Sequence, residues 1–425
     1  MRRVGTLWTI SVAMILVLGL GLGIHSASAQ PKLTMTIRGL FTPVTDEILK
    51  QQVQEWASKK GASVEVEFVS LDNLGAKASS AAETGVGPDI IYFPIFGPSL
   101  YADKLVDMDD LASELGLKHG GWLDIGKTTA MVGGKWKAIP HYISAQAIIY
   151  RRDVIQEVLG EKVPDTWEEL LQLGKKLRPL NHYAGFALGH ATGDANNFVY
   201  SLLWSFGMKE VEKDGKTIAL NSPETRKGLE FMARLYKEAM PPAVVGWDDS
   251  SNNRMWLAGL LAITGGSGSI YWQTKKDAPA LRPNTMHTLW PRGPAGRAAY
   301  AEMWFLGIFK YSKNQELAKD LIRYLMEPEQ YSKWLESGDG NMTPLLNFYS
   351  TLPMWTKDPN LKPFIEHPKY ARAIGWPGPV TRAAAEVNAK FIVVDMAAKV
   401  ARGTPVQKAI DEAVAEMKKI YASYK

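Results

Sequence analysis

Residues 63–69, Ser63-Val64-Glu65-Val66-Glu67-Phe68-Val69, alternate polar and apolar side chains along their length. This period of two is typical of a β-strand with one buried face. Before it, residues 45–60 place apolar side chains at helical spacing, and residues 32–38 are again rich in strand-forming residues. After it, a helical stretch over 76–84 precedes the short apolar run 89–93. Strands that alternate with helices in this rhythm predict an α/β domain with a mainly parallel sheet.

The first 29 residues have the three parts of an export signal. Arg2 and Arg3 precede an apolar run over residues 10–24, and Ala27-Ser28-Ala29 supplies the small residues of a cleavage site. The apolar run is shorter than the about 20 residues that a membrane span needs. We therefore predict a signal peptide over 1–29, cleavage after Ala29, and a periplasmic protein that does not span the membrane after cleavage. An uncleaved N-terminal anchor is the alternative.

Composition narrows the possible chemistry. The 425 residues include no cysteine, which excludes disulfides, thiolate catalysis and cysteine metal sites. The formal net charge of +5 comes with no basic stripe, so we expect no nucleic-acid partner.

Fourteen tryptophans are many for this length, and several stand beside Gly, Pro, Asn or Asp. Aromatic rings in such loops favour a carbohydrate-binding surface, because sugar rings stack on them. Trp122, Trp247, Trp290 and Trp376 stand beside Gly, Pro or Asp, and Trp272, Trp304 and Trp355 are the other tryptophans that we expect on this surface.

Residues 163–170 predict the N-terminus of a helix. Thr166 stands where the N-cap would be, and Glu169 follows it three residues later, which is the spacing of a capping box. A second helix start is Ser222-Pro223-Glu224, with proline at the first helical position.

Six segments occur in the order that one known family uses. They are Gly87–Phe93, Gly134–Pro140, Ile148–Asp153, Pro164–Leu170, Leu257–Ile263 and Gly403–Ala413. Behind a signal peptide, they resemble the extracellular solute-binding proteins (family 1) of bacterial ABC sugar importers, which include maltose-binding proteins. The resemblance runs from about Lys32 to Tyr421. It implies a two-lobe periplasmic-binding-protein-like α/β fold (type II), with a ligand cleft between lobes joined by hinge strands.

The resemblance also implies domain limits and a function. Residues 30–140 plus 291–337 would form lobe 1, and residues 141–290 plus 338–425 would form lobe 2 with the C-terminal helices. The protein would capture a mono- or oligosaccharide by lobe closure and deliver it to ABC permease transmembrane subunits. ATP at the permease would supply the energy, so the resemblance implies a monomeric, non-enzymatic chain without cofactor or metal.

The expected ligand residues follow from their positions at strand ends and crossings. Aromatic side chains would stack on sugar rings, while Asp248 and Glu302 would accept hydroxyl hydrogen bonds. The full set is Phe41, Phe93, Phe96, Tyr142, Trp204, Trp247, Asp248, Ser267, Glu302, Trp304 and Trp376.

The nearest alternative keeps the binding role and changes the ligand to a polyol or a glycerophosphodiester. A phosphate group would ask for arginines in the cleft. Arg254, Arg292 and Arg382 lie near loops and are the candidates, so their convergence on the cleft would favour a phosphodiester.

Enzymatic alternatives have weaker support in the sequence. An exported glycoside hydrolase needs two carboxylates across the scissile bond, for which Asp248-Asp249 and Glu302 are the candidates. The histidines are scattered without metal-binding spacing. The glycine-rich run 264–269 lacks the lysine of a phosphate-binding loop, so we expect it to let backbone approach a ligand closely.

Overall fold

Two β-sheets form the centre of the molecule in our computed structural model, which describes residues 30–424. The strands are β1 Lys32–Arg38, β2 Ser63–Val69, β3 Ile90–Pro94, β4 Met131–Val132, β5 Lys135–Trp136, β6 Ile139–Ile143, β7 Ala147–Arg151, β8 Tyr183–Gly185, β9 Leu261–Gly266, β10 Thr285–Thr288, β11 Ala299–Tyr300, β12 Met303–Ile308 and β13 Ala371–Arg372. The first sheet has the order β2-β1-β3-β12-β6, and the second has the order β10-β7-β9-β8. The predicted signal peptide lies outside the described residues.

Helices cover the faces of both sheets. They are α1 Pro43–Lys60, α2 Leu71–Thr84, α3 Gly97–Leu100, α4 Asp109–Lys118, α5 Asp124–Ala130, α6 Trp167–Leu177, α7 Asp194–Ser205, α8 Pro223–Ala239, α9 Ser251–Leu257, α10 Gly268–Asp277, α11 Gln315–Leu325, α12 Pro328–Glu336, α13 Met354–Lys357, α14 Lys362–Glu366, α15 Arg382–Ala389, α16 Ile392–Ala401 and α17 Val406–Ser423. Helices α1 and α2 pack on the first sheet, and α7 and α9 pack on the second. Within residues 30–424, no helix has both the length and the apolarity that crossing a bilayer requires.

The local patterns in the sequence are confirmed at most of these elements. Strands β1 and β2 have the predicted bounds. The capping box forms at the start of α6, where the Thr166 hydroxyl accepts from the Glu169 N–H and the Glu169 carboxylate accepts from the Thr166 N–H. Helix α8 begins at Pro223 with Ser222 as its N-cap. Helix α2 begins at Leu71, earlier than predicted, because its first turn already buries Leu74.

The prediction of a mainly parallel sheet is confirmed, with one strand of opposite direction in each sheet. Strands β2, β1 and β3 are parallel, but β12 runs antiparallel to both β3 and β6. In the second sheet β7 runs antiparallel to β9 and β10. Each of these two antiparallel strands, β12 and β7, follows a passage of the chain between the sheets. Because the chain then enters the sheet at the end where the other strands finish, the new strand runs in the opposite direction and the sheet is mixed.

The chain passes between the sheets directly from β6 to β7, and again between β10 and β12. Thr343 still pairs with Ile143, and Leu345 accepts a hydrogen bond from the Leu123 N–H. Asn360, in contrast, bonds to β10. The lobe limits remain a prediction, and these contacts favour a third boundary near residues 350–359.

The tryptophans mainly build the core. Fully buried indoles are those of Trp56, Trp167, Trp204, Trp256, Trp290, Trp304 and Trp334. Among the loop tryptophans that predicted a carbohydrate surface, Trp247 and Trp355 are buried as well, whereas Trp376 is 36% exposed. In this protein, tryptophans next to turn residues therefore pack into the core and fix the ends of loops, because each indole buries a large apolar area.

Candidate functional site

A polar cavity lies where the carboxyl ends of several strands meet between the two sheets. Residues follow β1, β6, β8 and β9 into this space, as expected for α/β sheets that bind ligands at strand ends. We call it the polar cavity. Its free volume is about 20 Å³, which is room for one water-sized group. Its lining consists of Arg38, Phe41, Ser144, Gln146, Gly193, Asp194, Asp249, Asn252, Asn253, Ser267, Ser269 and Glu302.

A buried ion pair forms the floor of the polar cavity. Arg38 ends β1, and its Nη1 donates to Glu302 Oε1 over 3.1 Å, with both side chains less than a tenth exposed. The guanidinium also stacks over the indole of Trp304, 4.3 Å from the ring centroid. The Arg38 Nε lacks a hydrogen-bond acceptor among the described residues, although it is buried. A buried donor of this kind is costly unless a ligand or water accepts from it.

Besides Arg38, Glu302 is held by side chains from α7 and from the passage between the two sheets. Its Oε2 accepts from Asn197 Nδ2 at 2.8 Å and from Gln146 Nε2 at 3.4 Å. Gln146 lies on the direct passage from β6 to β7, and Asn197 lies in the first turn of α7. Burial raises the pKa of the Glu302 carboxyl, and the Arg38 charge opposes that rise.

Two further carboxylates lie at the start of α7. The N–H groups of Gly193 and Asp194 both donate to Asp249 Oδ1, at 2.9 and 2.8 Å, so Asp249 caps the helix from another loop. Asp194 Oδ1 accepts from Gln146 at 2.9 Å, whereas its buried Oδ2 has no donor among the described residues. Burial raises the pKa of Asp194 well above its usual range, and the charges of Asp249 and Glu302 raise it further.

Neutral amides and hydroxyls form the opposite wall. Asn253 Nδ2 donates to Ser269 Oγ at 3.3 Å, and Ser267 Oγ donates to Asn341 Oδ1 at 2.7 Å. Gln273 reaches across to the first-sheet side and donates to the Phe41 carbonyl at 3.4 Å. In the described conformation, groups from the two sides therefore satisfy one another across the cavity.

Three of the predicted ligand residues come together here. Phe41, Ser267 and Glu302 line the polar cavity. Trp304 lies beneath Arg38, and Tyr142 stacks on Trp304 with ring centroids 6.3 Å apart. Tyr142 and Trp304 are fully buried, so they support the ion pair from behind.

Four other predicted residues lie away from the polar cavity. Phe93 packs in the first-sheet core against Tyr101 and Phe309, and Trp204 packs against Tyr200 and Tyr300. Both are core residues because their strand and helix positions face inward. The indole of Trp247 is buried against Gly185 at the end of β8, and the backbone of Trp247 lies against Gly189 of the following loop. Trp376 lies over the Arg372 guanidinium, 4.7 Å away, on a different surface.

The remaining two predicted residues are close to the polar cavity without lining it. Asp248 forms a turn in which its carboxylate accepts from Ser250, Ser251 and Arg254, while its neighbour Asp249 faces the cavity. Phe96 lines a second cavity of about 580 Å³. We call this second space the aromatic cavity, after its lining residues Phe96, Tyr101, His190 and Phe391.

Several lining residues were missed by the sequence analysis, chiefly Arg38, Gln146, Asp194 and Asn253. Arg38 carried a usable signal, because a charged residue at the end of a buried strand has to find a partner. Gln146 carried none, because its role depends on contacts with residues 48 and 156 positions away.

A family model described as bacterial extracellular solute-binding protein matches residues 51–363. The chain belongs to this family. The solute-binding protein is 25% identical over 301 residues to a probable ABC transporter-binding protein of Deinococcus radiodurans, covering 67% of this chain and 70% of that one.

Solved structures of similar proteins agree with the fold. Maltose-bound MalE3 of T. maritima has a TM-score of 0.78 at 24% identity, covering 92% of this chain and 99% of that one. An ABC transporter solute-binding protein of Agrobacterium radiobacter K84, in complex with ribitol, has a TM-score of 0.79 at 22% identity, covering 92% and 98%. The family resemblance and the two-lobe fold predicted from the sequence are thereby confirmed for this solute-binding protein.

Proposed function

We propose that this solute-binding protein is the receptor subunit of an ABC importer and that it captures an uncharged carbohydrate in the polar cavity. The observation that carries the proposal is the chemistry of that cavity. Carboxylates, amides and hydroxyls converge there from both sheets, and each can exchange a hydrogen bond with a sugar hydroxyl. Its position at strand ends between two sheets is where such folds bind ligands.

The charged side chains that line the polar cavity favour an uncharged sugar over a phosphodiester as the ligand. Arg254 bonds to Asp248, Arg292 to Asp165, and Arg382 lies near Asp103, so none of the three lines the polar cavity. The arginine that does line it, Arg38, is paired with Glu302, and Asp194 and Asp249 add further acidic groups. An anionic ligand would meet these carboxylates, which disfavours a glycerophosphodiester. A polyol remains the second candidate, supported by the ribitol bound to a structural relative.

Ligand entry requires that the two sides of the polar cavity separate. A free volume of about 20 Å³ is too small for a sugar ring. The hydrogen bonds between Gln273 and Phe41, and from Ser267 through Asn341 to Thr42, join the two sides in the described conformation. We propose that opening breaks these bonds and that ligand hydroxyls replace them on closure.

The proposed role is binding without turnover. A glycosidase needs one carboxyl that exchanges a proton and a second carboxylate placed across the bond. Glu302 is instead fixed by Arg38, Asn197 and Gln146. Membership of a solute-binding family supports the same conclusion.

Export and transport partners complete the proposal. Residues 1–29 direct the chain to the periplasm, cleavage after Ala29 leaves Gln30 as the first residue, and the mature monomer delivers its ligand to permease subunits. Sequencing the N-terminus of the protein from a periplasmic extract tests the cleavage. A start at Gln30 is expected, and an intact Met1 would contradict it.

Thermal unfolding with a panel of ligands tests the proposed function. The panel contains mono- and disaccharides, ribitol and glycerophosphodiesters, and each is also assayed for chemical change. At about a hundred times its dissociation constant, a bound sugar adds roughly 2.7 kcal/mol of stability. Glu302→Gln should abolish the shift, whereas Glu329→Gln, an exposed glutamate of α12, should retain it. A shift with a phosphodiester alone, or consumption of a sugar, would contradict the proposal.

A further inference from the structure

The aromatic cavity has the size and position of a ligand compartment. Its volume of about 580 Å³ falls within the range of small-molecule sites. One wall comes from α2 and the segment after β3, which pack on the first sheet. The other wall comes from residues 190–196, which lead into α7, and from residues 388–391, which end α15 and precede α16; α7 packs on β9 of the second sheet and on α16. The aromatic cavity therefore lies between the two sides of the cleft, as the polar cavity does.

Phe391 supplies an aromatic surface from an energetically unfavourable, left-handed backbone conformation. Its φ is +56°, a left-handed conformation that glycine or asparagine usually adopts. The other non-glycine residues of the described chain with positive φ are Asn181 and Asp339, both of which are residue types that tolerate it. A bulky ring at such a position suggests that the ring itself is required.

His190 orients this aromatic surface. Its ring lies parallel to that of Phe391, with centroids 4.6 Å apart and planes 7° apart. His190 Nε2 is also 2.7 Å from Asp395 Oδ1, which fixes the imidazole. Phe96 stands on the opposite wall. Two aromatic walls facing a shared space suit a flat ring with C–H faces.

The rest of the lining is uncharged, with apolar side chains that include Leu71, Leu74 and Leu100 beside a smaller polar group. Thr192, Asn196, Asn388 and Ser79 bring hydroxyls and amides, and no Asp, Glu, Lys or Arg is among the described lining residues. Asn388 Nδ2 donates to Asn196 Oδ1 at 3.3 Å, so the two amides are held side by side. Neutral hydrogen-bonding groups next to aromatic faces match an uncharged, hydroxylated ring.

The polar and aromatic cavities share one loop. Thr192 and Asn196 line the aromatic cavity, while Gly193 and Asp194 line the polar cavity. One ligand can therefore contact both. We infer that the ligand is an oligosaccharide of at least two rings, with one ring held by the polar cavity and the next one held between Phe96 and Phe391. This inference rests on the proposed carbohydrate function and extends it to the size of the ligand.

Calorimetric titration of the purified protein tests the inference with glucose, galactose and mannose against maltose, cellobiose and laminaribiose. At least one disaccharide should bind ten-fold or more tightly than its monosaccharide. Phe391→Gly removes the ring and relaxes the left-handed backbone, so the variant should fold. We expect it to lower disaccharide affinity at least ten-fold and to change monosaccharide affinity less than two-fold.

Two further variants make the result decisive. Phe96→Ala removes the opposite wall and should act as Phe391→Gly does. Phe348→Ala removes an exposed ring that does not line the aromatic cavity and should leave affinity unchanged. Equal affinity for monosaccharides and disaccharides, or unchanged disaccharide binding by both cavity variants, would overturn the inference while leaving the proposed function intact. Binding of no sugar at all would overturn the proposed function, and the inference with it.

Discussion

Arg38 is the residue whose removal should disturb the polar cavity most. Arg38→Met leaves the buried Glu302 carboxylate without its counter-charge, which typically costs about 3–5 kcal/mol. We expect a loss of about 3 kcal/mol in the free energy of unfolding, measured by urea denaturation at pH 7, together with loss of ligand-induced stabilisation.

A double variant separates charge from shape at this ion pair. Arg38→Met combined with Glu302→Gln removes both charges and should recover at least half of the lost stability. If the double variant is as unstable as Arg38→Met alone, Arg38 would stabilise the protein mainly by packing against Trp304. The account of a stabilising ion pair with Glu302 would then be contradicted.

Glu210 should make stability depend on pH. Burial raises the pKa of this carboxyl to about 8, and it accepts hydrogen bonds from the N–H groups of Gly375 and Trp376 at 3.0 and 3.2 Å. The unfolded chain loses this proton near its ordinary pKa of about 4.3. Because the folded protein keeps the proton until about pH 8, stability falls as pH rises between these two values.

The matching variant is Glu210→Gln. The free energy of unfolding of the unsubstituted protein falls between pH 5 and pH 8, and in Glu210→Gln this fall should be smaller by about 3 kcal/mol. Glu212→Gln, at a side chain that is 47% exposed, serves as the control and should leave the pH dependence unchanged. An identical pH dependence in Glu210→Gln and the unsubstituted protein would show that Glu210 does not hold this proton.

Individual site residues were partly predictable. Phe41, Ser267 and Glu302 follow strands or crossings, a position that predicts a ligand residue, and the structure places them on the polar cavity. Position along the chain did not distinguish Asp248 from Asp249, because the turn that leaves Asp248 exposed and directs Asp249 to the polar cavity is held by hydrogen bonds from Ser250 and Ser251. Nor did it separate Phe93, which faces the core, from Phe96, which faces a cavity.

The capping box is the element-scale feature that can be tested most simply. Thr166→Ala removes the hydroxyl that accepts from the Glu169 N–H at 3.2 Å. The expected loss is about 1 kcal/mol in the free energy of unfolding. Thr128→Ala is the control, since that hydroxyl bonds only to carbonyls of its own helix α5. Equal effects of the two substitutions would contradict a capping role.

Elements with local patterns were predicted better than their arrangement. Strand β2 follows from strict alternation, and α6 from its capping box. The antiparallel directions of β7 and β12 depend on where the chain passes between sheets, which no short pattern contains. The same applies to the third passage, where the contacts of Thr343 and Asn360 mark the change of side.

At the scale of the whole molecule, ligand binding should change the overall dimensions. The hydrogen bonds of Gln273 and Ser267 join the two sides of the cleft in the described conformation. We expect the ligand-free protein to sample more open forms, so its radius of gyration in small-angle X-ray scattering should fall when a bound sugar is added. Glu302→Gln should not show this decrease. Equal radii with and without a sugar that demonstrably binds would contradict closure.

The most direct test of the central claim is a crystal structure of the protein with the sugar that stabilises it most. We predict that the sugar lies in the polar cavity, with hydroxyls within hydrogen-bond distance of Glu302, Asp249 or Gln146, and that it is chemically intact. A sugar bound on another surface, such as the groove lined by Trp167 and Phe231, would contradict the site. A cleaved sugar in the polar cavity would contradict the proposed function.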